Sequence, residues 1–199
     1  MTDNTDIAAL VGSRICHDLI SPVGAIGNGL ELIGLSEGSV GPELDLISES
    51  VGNANARIRF FRIAFGMSGA DQQIGLSEIF SVLDGLASGS RIQIDWSAQG
   101  AVQRDHLRMA FLAVMCLETA MPYGGILSVN REDDDRWVFH AEGSRLKIDP
   151  ALWRPLAETK RPNGITPAFV QFGLLPVITQ DMGRRISIDI TETRLIMSI

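Results

Sequence analysis

A histidine and the aspartate that follows it, His17 and Asp18, are the pair of side chains in this sequence best suited to covalent chemistry. A neutral imidazole is a competent nucleophile toward phosphorus. The adjacent carboxylate can orient the ring, or it can accept the ring proton as a nitrogen–phosphorus bond forms. The pair is therefore chemically competent to accept a phosphoryl group. The alternative is an ordinary surface residue, which is what a lone histidine on a helix usually is.

The residues around His17 predict a long helix over residues 6–34. Apolar side chains recur there at alternating steps of three and four, which places them on one face. This stripe consists of Ala9, Gly12, Cys16, Leu19, Val23, Ile26, Leu30 and Ile33. His17 lies at its edge or outside it, and its own face continues at helical spacing with Ser13, Ser21, Gly24 and Asn28. Such small or polar side chains leave room for a bulky partner.

A second helix is predicted over residues 43–66, after a loop over residues 35–42 that is rich in Gly, Ser and Pro. Two long helices joined by a short loop form an antiparallel hairpin. The second helix carries a heptad stripe made of Leu44, Ile47, Val51, Ala54, Ile58, Phe61 and Phe65. A hairpin alone cannot cover this stripe, so we predict a C2 homodimer in which two hairpins form a four-helix bundle.

The pattern changes after residues 67–75, which have the composition of a linker. Helices are predicted over residues 76–86 and 105–121, the latter with Asp105 as its N-cap. Strands are predicted over residues 91–96, 126–130, 136–140, 184–191 and 194–199. Irregular alternation of strands and helices is typical of an α+β sandwich. The predicted organisation is a helical hairpin domain over residues 1–68 and a sandwich domain over residues 76–199.

The composition excludes several classes of function. A formal net charge of −7 gives no basic surface for nucleic acid, so no nucleic-acid partner is predicted. The first ten residues lack the features of a signal peptide, and the longest apolar run, residues 110–117, is too short to span a membrane. Cys16 and Cys116 suggest no disulfide, and Cys16 and His17 lack a spaced set of partner ligands for a metal. We expect a cytoplasmic protein.

The ten residues from His17 to Ile26, HDLISPVGAI, resemble the H box of sensor histidine kinases. That pattern is usually His-Glu/Asp-Leu-Arg/Lys-Thr/Asn/Ser-Pro-Leu-x-x-Ile. Agreement covers the histidine, the acid, the leucine, the small polar residue, the proline and the last isoleucine. Ile20 departs from it, because a basic residue is usual there. The resemblance implies that His17 is the phosphorylated residue and that Asp18 assists it on the first helix of a bundle hairpin.

The second part resembles the ATP-binding domain of these kinases, the Bergerat fold, with degenerate nucleotide motifs. Thr119 and Met115 occupy the places of two asparagines on the kinase's long helix. Residues 141–145, AEGSR, lack the aspartate and one glycine of the Asp-x-Gly-x-Gly box. Residues 171–174, QFGL, keep part of the Gly-x-Gly-Leu phosphate loop. The resemblance implies the fold of this domain without ATP binding, and we predict no cofactor held by this chain.

The run from Arg14 to Leu32 resembles the first helix of the ChpT family of alphaproteobacterial histidine phosphotransferases, including Ile20 and the ending Asn-Gly-Leu-Glu-Leu. This resemblance implies a homodimer with a kinase-like bundle and a degenerate ATPase-like domain. It also implies phosphoryl transfer from the receiver domain of a hybrid histidine kinase to receiver domains of downstream response regulators. The partner receiver would supply the aspartyl phosphate and its Mg²⁺, and His17 would supply the nucleophile.

The predicted receiver contacts on the first helix are Arg14, Ile20, Ser21, Gly24 and Asn28. Further candidates for contact are the basic residues Arg154, Lys160 and Arg161. Two other functions stay open from the sequence. One is an ATP-dependent histidine kinase, and the other is a non-catalytic dimeric adaptor whose histidine is silent.

Overall fold

The computed structural model describes residues 2–35, 41–66, 72–87, 90–132 and 134–199. The helices in these ranges are α1 (Thr2–Leu35), α2 (Gly41–Ala64), α3 (Leu76–Ala87), α4 (Arg104–Ala120), α5 (Pro150–Ala157) and α6 (Val170–Asp181), with a 3₁₀ helix at Pro167–Phe169. The strands are β1 (Gln73–Ile74), β2 (Ile92–Trp96), β3 (Val102–Gln103), β4 (Gly125–Arg131), β5 (Trp137–Glu142), β6 (Ser187–Ile190) and β7 (Arg194–Ser198). Most of the predicted loop and part of the predicted linker lie outside the described residues. We call residues 72–199 the sheet region.

Helices α1 and α2 pack along each other and form the predicted hairpin. α1 continues through Pro22 without a break in the helix. The two helices approach closely at Gly29, where an added Cβ would lie 2.6 Å from Cγ1 of Ile47. A side chain at this position would displace that of Ile47, so the glycine has a packing reason.

The two heptad stripes of the hairpin each divide into an outward and an inward set. The outward residues, all exposed, are Ala9, Cys16, Val23 and Leu30 on α1 and Leu44, Val51 and Ile58 on α2; we call them the outward apolar face. The inward residues, half-buried or buried, are Leu19, Ile26, Ile33, Ala54 and Phe61. The expectation that a hairpin alone cannot cover the α2 stripe therefore applies to its outward members, because every second member packs within the chain.

The sheet region is a five-stranded sheet with helices on its buried face. Its strand order is β2-β4-β5-β7-β6, with β2 parallel to β4 and the other pairs antiparallel. Alternation along β4 buries Leu127 and Val129 and exposes Ile126, as expected for a sheet with one solvated face. Helix α4 supplies the centre of the core, since residues 109–117 are all buried. The predicted α/β sandwich is confirmed.

Several boundaries in the sheet region differ from the predicted ones. The sequence analysis does not find α5 and α6, because each contains an internal proline, Pro155 or Pro176, that argues against a helix. Residues 170–176 of α6 are buried all round, so they lack the period of a surface helix. The strand predicted over residues 184–191 is only β6, because the N–H groups of Arg184 and Ile186 donate outside the sheet, to the carbonyl and hydroxyl oxygens of Thr179 and Thr159 respectively. Helix α4 begins at Arg104, one residue before the predicted cap.

The last two turns of α2 belong to the hydrophobic core of the sheet region. Phe60 stacks on Phe111 of α4 with ring centroids 4.6 Å apart, and Ile63 is buried in the same cluster. The guanidinium of Arg104 donates to the carbonyl of Arg62 at 2.6 Å. Apolar packing and hydrogen bonds thus join hairpin and sheet region, and the division into domains 1–68 and 76–199 stays a prediction.

Candidate functional site

His17 lies near the middle of α1, with its side chain 83% exposed to solvent. The residues that continue its face at helical spacing, Ser13, Ser21, Gly24 and Asn28, are exposed as well. This side of α1 stays exposed because the helix packs against the core through other positions, among them Ile7, Val11 and Ile15. A partner molecule can therefore reach the imidazole along a strip without large side chains.

Asp18 is the least exposed polar side chain around His17, at 10% exposed. Its Oδ1 lies 3.1 Å from Nδ1 of His17, and its Oδ2 accepts a hydrogen bond from Nε of Arg14 at 2.7 Å. The guanidinium of Arg57, on α2, is 3.9 Å from the same Oδ2. A carboxylate held in this way favours the imidazole tautomer that carries its proton on Nδ1, and the lone pair is then on Nε2.

Arg14 connects α1 to the sheet region. While its Nε donates to Asp18, its Nη1 donates to the carbonyl of Ala168 at 2.6 Å. Its side chain is only 20% exposed. The residue predicted as a receiver contact is thus largely engaged within the chain, although it still borders the surface around His17.

A groove of about 480 Å³ adjoins His17. One wall is α1, with Ser13, Arg14, His17 and Asp18, and the other is the segment 166–168 that leads into α6. Sequence reasoning missed this second wall, because the segment is about 150 residues away along the chain and carries no motif. The sheet region therefore helps to shape the surface on which a partner would approach the imidazole.

A second cavity, of about 290 Å³, lies behind Asp18 and contains a carboxylate that the sequence analysis did not single out. Glu118 of α4 lines it together with Arg14, Asp18 and Arg57. Burial raises the pKa of Glu118 to about 7; the two arginines oppose this rise and Asp18 adds to it. Glu118 therefore changes charge near neutral pH, close to the arginines that hold Asp18. Its only sequence signal is a carboxylate within an otherwise buried helix.

Replacement of Glu118 by glutamine is expected to remove a pH-dependent loss of stability. In the folded state the carboxyl group of Glu118 keeps its proton up to about pH 7, whereas an ordinary glutamate has a pKa of 4.5. Ionisation therefore costs the folded protein free energy progressively as pH rises between these values. The glutamine side chain resembles the protonated acid. The free energy of unfolding of Glu118→Gln should therefore increase relative to that of the wild type between pH 5 and pH 8, by at most about 3 kcal/mol and by less if water enters the cavity.

Urea unfolding at pH 5 and pH 8 measures this effect, with the exposed Glu142→Gln as control. If the wild type and Glu118→Gln show the same change in unfolding free energy between these two pH values, Glu118 is ionised throughout and the assignment is wrong.

Helices α4 and α6 meet through polar groups at Thr119 and Gln171, two of the positions that the sequence resemblance matches to nucleotide motifs of the kinases. Oγ1 of Thr119 donates to the carbonyl of Met115 at 3.0 Å. Nε2 of Gln171, which is 1% exposed, donates to Oγ1 of Thr119 at 3.1 Å and to the carbonyl of Ala168 at 3.2 Å. These side chains bond to one another and hold α6 against α4.

Two kinds of feature are absent from the described ranges. No three side chains of His, Cys, Asp or Glu in these ranges come together as a metal-binding group. No helix within them combines the length and apolar character that crossing a membrane requires.

Comparison with known proteins assigns the family. A family model described as the histidine phosphotransferase C-terminal domain matches residues 76–194, which is more than half of the chain. The chain belongs to the histidine phosphotransferase family. The matched residues include β2 to β6 of this phosphotransferase and end at Arg194, the first residue of β7.

Two relatives match nearly the whole phosphotransferase. The protein phosphotransferase ChpT of Brucella abortus (strain 2308) is 33% identical, over 97% of this chain and 94% of the relative. A solved bacterial phosphotransferase matches with a TM-score of 0.81 and 32% identity, over 98% of this chain and 95% of that one. The resemblance to the ChpT family is thus confirmed, as are a helical hairpin followed by a sheet domain and a function as a histidine phosphotransferase in a phosphorelay.

The structure brings together most of the predicted site residues of the phosphotransferase. Asp18 is in contact with His17, while Ile20, Ser21, Gly24 and Asn28 line the exposed side of α1 beyond it. Arg14 is adjacent but turned toward Asp18 and Ala168. The residues that sequence reasoning missed are Arg57, Glu118, Thr166, Pro167 and Ala168. All of them come from elements distant in sequence from the H box.

Proposed function

We propose that His17 is the residue that carries the phosphoryl group between aspartates of partner receiver domains. One observation supports this most strongly: an imidazole that is 83% exposed has its Nδ1 beside a carboxylate that is itself held by an arginine. That arrangement leaves Nε2 open as the nucleophile. As the resemblance to the ChpT family implies, the donor would be the receiver of a hybrid histidine kinase and the acceptors would be downstream response regulators.

The transfer step needs little machinery from this chain. Nε2 attacks the phosphorus of the partner's aspartyl phosphate in line, and the bond between phosphorus and the aspartate oxygen breaks. The released carboxylate is neutralised by the Mg²⁺ that the partner receiver holds. The phosphorylated ring is cationic while Nδ1 keeps its proton, and Asp18 stabilises this cation. In the reverse direction a receiver aspartate attacks the same phosphorus and Nε2 leaves with its electron pair.

A phosphotransfer profile tests this function directly. The protein is mixed with each receiver domain of the source cell, phosphorylated in turn, and acid-labile phosphate on the protein is followed over time. A small set of receivers should transfer to it within seconds and the others only slowly. A silent adaptor would accept phosphate from none of them.

We further propose that partner receivers dock on α1 over the one or two turns that follow His17. The phosphorus must come within about 3 Å of the imidazole nitrogen, so the partner's loops must lie close against this helix. Ser21, Gly24 and Asn28 leave room there, and Ile20 offers an apolar contact. The basic residues Arg154, Lys160 and Arg161 of the sheet region are proposed as further contacts of the same docked arrangement.

Replacement of Gly24 by leucine is expected to slow transfer at least several-fold without loss of stability. An added Cβ at Gly24 meets no atom within 4 Å, so the side chain fits the free protein and projects into the docking strip. Leucine is also the better helix former, by up to about 1 kcal/mol. Gly52→Leu is a matched control, since that helical glycine on α2 is equally unobstructed. Wild-type transfer by a folded Gly24→Leu protein would place the receiver elsewhere.

We propose that the protein neither binds ATP usefully nor acts as an ATP-dependent kinase. The supporting observation is that Thr119 and Gln171 bond to each other, while Ala141, where the kinases have their adenine-binding aspartate, is a fully buried apolar residue. Calorimetric titration with Mg-ATP should therefore give no saturable heat in the micromolar range, under conditions in which a histidine kinase does. A micromolar dissociation constant, or labelling of His17 by ATP alone, would contradict this.

We also propose that the protein is a cytoplasmic homodimer. Its outward apolar face, as defined above, is the surface that a second hairpin would cover in a four-helix bundle. Isolated exposed apolar residues are common on proteins, but a row at heptad spacing on both helices is the pattern of a helix-packing seam.

A further inference from the structure

The degenerate nucleotide site contains a buried polar junction that leads out of the sheet region. Nε2 of Gln171 donates both to Oγ1 of Thr119 and to the carbonyl of Ala168. Gln171 is 1% exposed, so these bonds are shielded from water and hold the side chain in one position. The carbonyl of Ala168 is thereby fixed relative to α4.

The same carbonyl is the anchor for the residues around the accepting histidine. It accepts a second hydrogen bond, of 2.6 Å, from Arg14. The other edge of that guanidinium donates to Asp18, whose Oδ1 faces Nδ1 of His17. A charge-assisted hydrogen bond of this kind is stronger and better directed than a neutral one. A continuous chain of hydrogen bonds therefore runs from α4 to the imidazole.

We propose that Arg14 and Gln171 are positioning residues for phosphoryl transfer, which hold Asp18, and through it the ring of His17, in the orientation that exposes Nε2. This inference rests on the proposed role of His17. It gives the sheet region a part in the reaction. Its contacts at the positions of the degenerate nucleotide motifs hold the accepting histidine in place.

Such positioning matters because the side chain of His17 is exposed. A histidine side chain in water rotates freely and exchanges protons between its two nitrogens. In-line transfer needs one nitrogen with a free lone pair, aimed at phosphorus, and a misplacement of about 1 Å can cost on the order of 100-fold in rate. Because Asp18 is on the same helix as His17, it can fix the ring only if its own carboxylate is fixed, and Arg14 and Arg57 are the cations beside it.

This role differs from the receiver contact that the sequence predicts for Arg14. A receiver contact acts on docking, so its loss raises the receiver concentration needed for half-maximal transfer. A positioning residue acts after docking, so its loss lowers the maximal rate at saturating receiver. The two roles are therefore separated by single-turnover kinetics over a range of receiver concentrations.

The test compares Arg14→Met, Arg14→Lys and Gln171→Leu with the wild type, in the full-length protein and with a phosphorylated receiver from the transfer profile. Arg14→Met should lower the maximal rate about 10- to 100-fold and leave the half-saturating receiver concentration within about twofold. Arg14→Lys should recover little, because an ammonium lacks the planar fork that spans Asp18 and Ala168. Gln171→Leu should lower the maximal rate by a smaller factor. Arg185→Met, at an exposed arginine after α6, is the control.

A second measurement does not depend on transfer at all. Nitrogen-15 chemical shifts of the His17 ring report its tautomer at a pH where the ring is neutral. The wild type should show mainly the Nδ1-protonated form, and Arg14→Met should shift the ring toward the Nε2-protonated form with little change in melting temperature. This readout stands even if another residue accepts the phosphoryl group, a failure that labelling of His17→Ala would reveal separately.

Three results would overturn the inference. One is an unchanged maximal rate in Arg14→Met, and another is a change confined to the half-saturating concentration, which would make Arg14 a receiver contact. The third is a His17 tautomer that is identical in the wild type and in folded Arg14→Met and Gln171→Leu proteins.

Discussion

Replacement of His17 by alanine should abolish phosphoryl acceptance and leave the fold intact. Alanine has no nitrogen nucleophile, and loss of the nucleophile from a covalent mechanism removes on the order of 10³-fold or more of the rate. Because the side chain is 83% exposed and packs against little, the stability should change by less than about 0.5 kcal/mol. The measurement is acid-labile phosphate on the protein after mixing with a phosphorylated receiver, together with thermal unfolding of the variant.

His140→Ala is the matched control, because that half-buried histidine lies on β5, in the sheet region and away from α1. It should accept phosphate as the wild type does. Asp18→Asn offers a graded comparison: the histidine remains, but a neutral amide cannot stabilise the cationic ring as a carboxylate does. Transfer to His17→Ala at the normal rate would show that the phosphorylated residue lies elsewhere.

Replacement of Val51 and Ile58 together by aspartate should convert the dimer into monomers. Both side chains lie on the outward apolar face of α2, at 41% and 49% exposed in the single chain. The free chain can therefore keep aspartates there in water, whereas a C2 bundle would bury four of them, two from each protomer. Unpaired buried carboxylates cost several kcal/mol each, so the dissociation constant should rise by ~10³-fold or more.

Sedimentation velocity at micromolar concentration measures this change. The control is Val177→Asp, a change of the same chemistry at a residue on α6 that is 42% exposed and is not part of the outward apolar face. It should remain dimeric. A folded wild-type monomer under these conditions would refute the dimer, and an intact dimer of the double variant would place the interface on another surface.

The central part of the site follows from the sequence because it is local. His17 and Asp18 are adjacent, and the small residues that keep the approach open recur at helical spacing on the same helix. The hairpin follows from the heptad period for the same reason, since one face of each helix must be covered. Apolar and polar residues alternate along the strands, and α4 is a continuous apolar run, so these elements likewise predict a sandwich. Each of these patterns depends only on the side chains of the element itself.

The tertiary structure alone decided which neighbours surround the histidine. Arg14 meets Ala168 across 154 positions of sequence, and Gln171 meets Thr119 across 52, so no local pattern contains either contact. The pKa of Glu118 depends on burial by elements that come together only when the chain folds. Likewise, the heptad period places Val51 and Phe61 on one stripe, yet Phe61 turns inward because the end of α2 enters the core of the sheet region. Periodicity defines a face of a helix, whereas the partner of that face depends on the packing of the whole chain.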